Sequence, residues 1–219
     1  MGDFDSRFIL QELYLRQLKV RGEPMGFKDA FKTFPIIETK RLILRPLNKD
    51  DAPTYLKWFS TKEMREFLGG LAYPKNIEES LRFIDNMNGV YFTKKRTICW
   101  GIAFKESNDL IGRFEICRFI RQSMAEVAYS LAQEHWNNGY MTEALRAVVK
   151  FGFEIMDLHR IEATAATENE ASARVLHKAG FITEGVLRKY NCGDEFRDTY
   201  IMSILNEDYF SNVVNSKNT

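Results

Sequence analysis

The sequence has little of what disulfide-stabilised, metal-binding or membrane-spanning proteins require. Its 219 residues include only three cysteines, three histidines and five prolines. Cys99, Cys117 and Cys192 are scattered without the spacing of metal ligands, so we expect reduced thiols and no disulfide framework. The histidines are equally dispersed and lack the carboxylate or cysteine spacing of a zinc site or a catalytic triad. We therefore expect no metal.

An excess of charge of one sign is also missing. The 31 lysines and arginines nearly balance the 30 aspartates and glutamates, which leaves a net charge of +1. This balance gives no reason to expect direct binding to nucleic acid or to an anionic membrane surface. No apolar run approaches the length of a membrane span, and no signal-peptide pattern opens the sequence. We expect a cytoplasmic protein.

What remains is the composition of a globular protein, with 45% hydrophobic and 28% charged residues. The length favours one domain with an appendage over two full domains. We predict an N-terminal amphipathic helix and connecting arm at 1–35, the main domain at 36–210 and a tail at 211–219. The apolar face of the N-terminal helix favours packing on its own domain or on a second subunit of a homodimer.

Hydrophobic periodicity predicts a sheet flanked by helices. Strands are predicted at 42–47, 97–105, 110–118, 125–131, 160–167, 182–190 and 197–205. Helices are predicted near 51–59 and 77–87, from Gly139 to Met156, and from Asn169 to Gly180. The strands at 125–131 and 160–167 flank a helix, so a crossover connects them and they should run parallel.

The most informative stretch joins the fourth predicted strand to the following helix. It reads Trp136-Asn-Asn-Gly139-Tyr-Met-Thr142-Glu143-Ala. A polar turn that contains glycine, placed before a helix, presents backbone N–H groups at the positive end of the helix dipole. Thr142 can add a hydroxyl contact to a phosphate. The residues alone leave open an anion-binding site or an ordinary capped helix.

This stretch resembles the pyrophosphate-binding loop of the GNAT N-acetyltransferases, and most closely the loop of their ribosomal-protein N-terminal acetyltransferase branch (RimJ/RimL-like). Trp136 stands where the general pattern has Gln or Arg, Met141 replaces a small residue, and Asn137 replaces a frequent glycine. Asparagine tolerates left-handed dihedrals better than most residues. A second match is Asn169-x-x-Ser172, at the start of a helix that ends in Gly-Phe. The resemblance extends over about 37–209.

The resemblance implies a GNAT-type α/β (α+β) fold. Its mixed, largely antiparallel sheet would be splayed at the parallel crossover to admit a pantetheine arm. Acetyl-CoA would be the cosubstrate and a primary amine the acceptor. The helices at 51–59 and 77–87 would form one wall of the acceptor groove, with substrate choice in the loop at 68–74. The implied acetyl-CoA contacts are Leu131, Trp136, Asn137, Asn138, Gly139, Tyr140, Met141, Thr142 and Asn169.

Acetyl transfer needs a base for the amine and a hydrogen bond for the departing thiolate. Glu126 is the candidate base, because it lies on the strand that leads to the loop and the family has a carboxylate near there. Glu115, on the neighbouring strand, and a water molecule are the alternatives. Ser172 is the candidate partner of the sulfur, because Leu176 occupies the place of the family's usual tyrosine. A solvated strand glutamate and a helix cap are the corresponding structural roles.

The acceptor is argued from the cost of deprotonation. At neutral pH this cost is about 1 kcal/mol for an α-amine, whereas it is about 4–5 kcal/mol for a lysine side chain. A weak base therefore suffices for the N-terminal amine of a ribosomal or other protein or peptide. A small amine such as a polyamine or aminoglycoside is the alternative acceptor, and a polyamine would need an acidic pocket. An alternative of another class is a non-catalytic acetyl-CoA-sensing or interaction module.

Overall fold

One sheet of eight strands organises the protein. The computed structural model describes residues 26–59, 61–65, 73–192 and 195–217. The strands are β1 (Ile37–Glu38), β2 (Leu42–Pro46), β3 (Thr97–Phe104), β4 (Leu110–Ile120), β5 (Met124–Leu131), β6 (Arg160–Ala166), β7 (Ile182–Cys192) and β8 (Glu195–Leu205). The helices are α1 (Ala52–Phe59), α2 (Lys62–Arg65), α3 (Ile77–Asn86), α4 (Tyr140–Glu154), α5 (Glu170–Lys178) and α6 (Asn206–Lys217).

The sheet is antiparallel except at one place. Its strand order is β1-β2-β3-β4-β5-β6-β8-β7, and only β5 and β6 run parallel. Their register pairs run from Met124 opposite Arg160 to Glu126 opposite Glu162 and go no further. Beyond these three pairs the two strands diverge. The predicted mixed α/β fold, with its parallel crossover and splay, is therefore confirmed.

The two faces of the sheet carry different helices. Side chains alternate along β5, so that Ala125 and Val127 are buried on one face in the cluster that contains Leu145 and Val148 of α4. A second cluster covers the other face and contains Tyr55 of α1 and Ile84 of α3. Glu126 lies on this second face. The predicted groove-wall helices thus pack on the side of the sheet that carries the candidate base.

A buried ion pair fixes the start of α1. The guanidinium of Arg45 donates to both carboxylate oxygens of Asp51, at 2.7 and 2.9 Å, and both side chains are buried. Asp51 also accepts a hydrogen bond from the backbone N–H of Asn48, whose side chain in turn accepts from the N–H of Asp51. This capping box connects the end of β2 rigidly to the helical wall.

The structure extends beyond the predicted elements at several places. Residues 26–35 were assigned to the connecting arm by the sequence, yet Phe27 and Phe31 are buried and contact Phe119, with ring centroids 4.8 and 5.7 Å apart. Aromatic burial thus joins this part of the arm to the core. Helix α6 continues past residue 210. The predicted N-terminal helix and most of the loop at 68–74 lie outside the described residues.

Within the described ranges, no helix is both long and apolar enough to span a membrane.

Candidate active site

The turn before α4 contains two residues with left-handed backbone. Asn137 and Gly139 both adopt left-handed conformations, with φ of +60° and +76°. Asparagine and glycine are the residue types that accept this region at least cost, so both residues suit this backbone. Gly139 is the N-cap of α4, and no side chain caps the helix. The first N–H groups of α4 therefore remain available to a ligand.

A clamp from the start of the domain holds this loop. Glu143, in the first turn of α4, accepts hydrogen bonds from the Thr39 hydroxyl at 2.6 Å and from the N–H and Nε of Arg41 at 2.9 and 2.7 Å. Arg41 Nη1 also donates to the carbonyl of Asn138 at 3.0 Å. Burial alone would raise the pKa of Glu143, but the hydrogen bonds from Thr39 and Arg41 lower it. The Glu143 carboxylate therefore stays ionised.

Some side chains of the loop are exposed to solvent, and others pack into the hydrophobic core. Trp136 is 41% exposed and donates from Nε1 to the carbonyl of Leu131 at 2.7 Å, so it does not fill the core. The ring of Tyr140 packs against Phe104, and the Arg41 guanidinium lies 4.4 Å from its centroid. Met141 is buried in the larger hydrophobic cluster.

A cavity of about 570 Å³ connects the loop to α5. That volume is within the range of small-molecule sites. It brings together Ser172 and eight of the nine residues expected to contact acetyl-CoA: Leu131, Trp136, Asn137, Gly139, Tyr140, Met141, Thr142 and Asn169. Asn138 is not in the lining, and its amide donates to the carbonyl of Trp136 at 2.8 Å. A neighbouring recess shares Gly139, Thr142 and Lys178 with this cavity. Its charged lining consists of four basic side chains and two carboxylates: Arg41, Arg146, Lys150, Lys178, Glu38 and Glu143.

The cavity passes through the splayed sheet. Tyr129 and Ser130 both line it, although consecutive strand residues point to opposite faces. Met64 of α2, which belongs to the cluster on the face of Glu126, lines it as well. A molecule in the cavity therefore has access to both faces.

Asn169 and Ser172 have different roles at the start of α5. Asn169 is the N-cap, and its side chain accepts from the backbone N–H of Ser172 at 3.1 Å. The hydroxyl of Ser172 lies 3.0 Å from the hydroxyl of Tyr129. Tyr129 was not among the candidate residues of the sequence. Only its place on a strand beside the crossover could have indicated it.

Glu126 lies at the point where β5 and β6 begin to diverge. It does not line the cavity, and its carboxylate is 20% exposed and paired at 2.8 Å with Arg118, which is 69% exposed. Its cross-strand neighbours are Cys117 and Glu162. The alternative base, Glu115, is paired with the buried Arg113 at 2.9 Å. Arg118 can move aside into solvent more readily than Arg113 can, so Glu126 is the more accessible of the two carboxylates.

We expect Arg41→Ala to weaken acetyl-CoA binding by about tenfold. The change removes a hydrogen bond to the loop carbonyl and one to Glu143, each worth about 1 kcal/mol at a partly exposed site. The loop should then sample other conformations, which lowers its affinity for an anion. Calorimetric titration with acetyl-CoA measures the effect.

Lys105→Ala is the matched control for Arg41→Ala. Lys105 donates its backbone N–H to the carbonyl of Arg41 and pairs through its side chain with Glu38 at 2.5 Å. Glu38 lines the recess beside the loop, so the change removes a nearby positive charge but no side-chain hydrogen bond to the loop. Removing this exposed cation should leave the affinity unchanged. Equal losses in both variants would mean that Arg41 acts through general charge and not through the loop.

Comparisons with known proteins agree with this geometry. Residues 41–182, more than half of the chain, match the acetyltransferase (GNAT) domain family. The chain is 40% identical over 158 residues to the uncharacterized N-acetyltransferase YoaA of Bacillus subtilis (strain 168), covering 72% of this chain and 88% of that protein. It is 24% identical over 184 residues to the [ribosomal protein uS5]-alanine N-acetyltransferase of Escherichia coli (strain K12), covering 79% and 92% of the two chains.

A solved structure gives the same result. The crystal structure of a GNAT-family acetyltransferase from Bacillus anthracis superposes with a TM-score of 0.70 at 26% identity, covering 79% of this chain and 99% of that one. Family, fold and the predicted loop thus agree. The chain belongs to the GNAT family of acetyltransferases.

Proposed function

We propose that this acetyltransferase transfers an acetyl group from acetyl-CoA to the N-terminal α-amine of a protein or peptide, with ribosomal proteins as the first substrates to test. The carrying observation is the cavity that runs from the uncapped start of α4 through the splayed sheet. It offers backbone donors for phosphates at one end and both faces of the sheet at the other. The acceptor amine would approach from the face that carries α1 and α3.

The residues present fit acetyl-CoA. The N–H groups that follow Gly139, with the hydroxyl of Thr142, would hold the pyrophosphate. The basic side chains of the neighbouring recess add positive charge beside it. Leu131 and Asn169 border the space for the pantetheine arm, but the carbonyl of Leu131 already accepts from Trp136. Acetyl-CoA supplies the activated thioester, and the chain supplies position and proton control.

Two groups would manage the protons. Glu126 takes the proton of the incoming ammonium, directly or through a water molecule, after Arg118 has moved aside. The neutral amine then forms its bond to the acetyl carbon. Ser172 donates a hydrogen bond to the sulfur as the carbon–sulfur bond breaks. Each group acts at the atom where charge changes during the step.

The charges around Glu126 favour a peptide over a polyamine. A polyamine pocket needs carboxylates that are free to pair with several ammonium groups. Here Glu126 is paired with Arg118, and the adjacent Glu162 shares Arg160 with Glu184. Each of these three carboxylates is thus already engaged by an arginine, although Glu162 and Glu184 together carry one more negative charge than Arg160 balances.

The acceptor is tested with purified protein, acetyl-CoA and a panel of amines, with mass spectrometry of the products. The panel contains peptides with free N-termini from ribosomal proteins, the same peptides with blocked N-termini and an internal lysine, and spermidine. We expect acetylation of the free α-amines only. Modification of spermidine or of lysine, with none at an α-amine, would contradict the proposal. Acetyl-CoA binding without turnover of any amine would favour the sensing module.

A further inference from the structure

A tyrosine and a serine meet across the splay between β5 and β6. Tyr129 lies beyond Glu126, the last residue of β5 that pairs with β6. Its hydroxyl oxygen is 3.0 Å from Ser172 Oγ and 3.4 Å from the Ser172 carbonyl oxygen. Both residues line the cavity that connects the loop to α5. The contact thus bridges the opening through which the cavity passes.

Both ends of this contact are held in place. The ring of Tyr129 packs against Phe114 at a centroid distance of 5.5 Å, and the backbone N–H of Ser172 is fixed by the cap from Asn169. The hydroxyls therefore approach each other without the freedom of two surface side chains. Such a fixed pair can set the direction of a proton.

Either hydroxyl can donate across the 3.0 Å contact, so the direction from the phenol to Ser172 Oγ is part of the inference. Burial raises the pKa of Tyr129 above its ordinary value, so the phenol keeps its proton throughout the working pH range. The shorter of its two contacts is with Ser172 Oγ. When that oxygen accepts the phenol proton, the single hydroxyl proton of Ser172 must point elsewhere, and the cavity lies beside it. Accepting a hydrogen bond also makes the serine a stronger donor.

We propose that Tyr129 is a positioning residue that orients the Ser172 hydroxyl toward the sulfur of the coenzyme. This inference rests on the proposed function only for the place of the sulfur. Leu176, at the place of the family's usual tyrosine, is fully buried and has no proton to give. Ser172, oriented by Tyr129 of the neighbouring strand, would therefore give the sulfur the hydrogen bond that Leu176 cannot give.

The step balances without an additional reactant. The bond between the amine nitrogen and the acetyl carbon forms, the carbon–sulfur bond breaks, and its electron pair goes to sulfur. The ammonium loses its first proton to Glu126 before the attack, and the nitrogen loses the second to a water molecule once its bond to the acetyl carbon has formed. Ser172 stabilises the thiolate by its hydrogen bond, and Tyr129 keeps its own proton.

The test measures the thiol of bound CoA and requires no acceptor. Ultraviolet absorbance of the thiolate is recorded against pH for CoA bound to the wild type, Tyr129→Phe, Ser172→Ala and the double variant. We expect Tyr129→Phe to lower the thiolate-to-thiol ratio at a given pH by about fivefold, the value of about 1 kcal/mol for one hydrogen bond. In the Ser172→Ala background the same change should have no further effect. Coenzyme affinity should stay constant in all four proteins.

Tyr55→Phe is the matched control, because Tyr55 is a buried phenol on the other face that hydrogen-bonds Arg113 at 3.0 Å. It should leave the CoA titration unchanged. An unchanged titration in folded Tyr129→Phe, or an equal shift with and without Ser172, would overturn the inference alone. Failure of the wild type to bind CoA would overturn the inference and the proposed function together, whereas the wrong choice of acceptor would not alter this assay.

Discussion

Glu126→Gln is expected to lower turnover of a peptide acceptor mainly at low pH, and raising the pH should restore much of it. The reason is the state of the acceptor. An α-amine has an ordinary pKa of about 8, so below that pH the ammonium must lose a proton to the enzyme. Above it the amine is already neutral and needs no base. The amide of glutamine keeps the shape of the side chain and removes only its basicity.

Ser172→Ala is expected to behave differently, with a loss of turnover of about 10- to 1000-fold over the whole pH range. That is the scale of losing one hydrogen bond that strengthens in the transition state. Sulfur leaves with the same charge at every pH, so a change of pH cannot replace the missing donor. The affinity for acetyl-CoA should change little in either variant, because neither side chain is placed at the phosphates.

A pH–rate profile with one verified acceptor separates these outcomes. Glu162→Gln is the control, since Glu162 lies directly opposite Glu126 on β6 and is also paired with an arginine, Arg160, which it shares with Glu184. It should retain the profile of the wild type. A pH-independent loss in Glu126→Gln would assign that residue to positioning, and full activity in Ser172→Ala would leave the serine hydroxyl without a catalytic role.

Gly139→Val should reduce acetyl-CoA affinity by about 10- to 100-fold. The physical reason is the backbone. Gly139 has a φ of +76°, and a Cβ added there would meet only Arg41 Nη2, at an ordinary 3.6 Å. Space is therefore not limiting, but a β-branched residue is strained in this region by about 1–2 kcal/mol. The loop would relax by changing its dihedrals, and its N–H groups would no longer converge on one anion.

Calorimetric titration and thermal unfolding together test this prediction. Gly185→Val is the matched control, because a Cβ at Gly185 meets nothing within 4 Å and the residue does not have a positive φ. The control should bind acetyl-CoA like the wild type. Unchanged affinity in a folded Gly139→Val protein would mean that the loop does not hold the phosphates.

Local patterns predicted most of the secondary structure but few of its contacts. Alternation and helical periodicity identified seven of the strands, and the order of strand, helix and strand required the parallel crossover. The two-residue strand β1 is too short for a periodic signal. The chain position of the closing hairpin likewise could not show that β8 lies between β6 and β7.

The candidate site was predictable where its parts are close in sequence. The loop and the start of α5 are each one short motif. Arg41 and Asn138 are 97 positions apart, and Tyr129 and Ser172 are 43 positions apart, so neither contact leaves a local pattern. The sequence also could not show which of Asn169 and Ser172 caps α5, because either residue type can cap a helix. In the structure the cap is Asn169, whose side chain accepts from the N–H of Ser172.

The divergence of β5 and β6 leaves the sheet weakly connected near its middle. Only three register pairs connect the half formed by β1 to β5 with the half formed by β6 to β8. A pantetheine arm carries two amide groups, which have the same donors and acceptors as a peptide backbone. Lying between the strands, it would complete the interrupted hydrogen-bonding ladder and join the two halves. The coenzyme would then form part of the sheet while it is bound, and each turnover would remove this part and replace it.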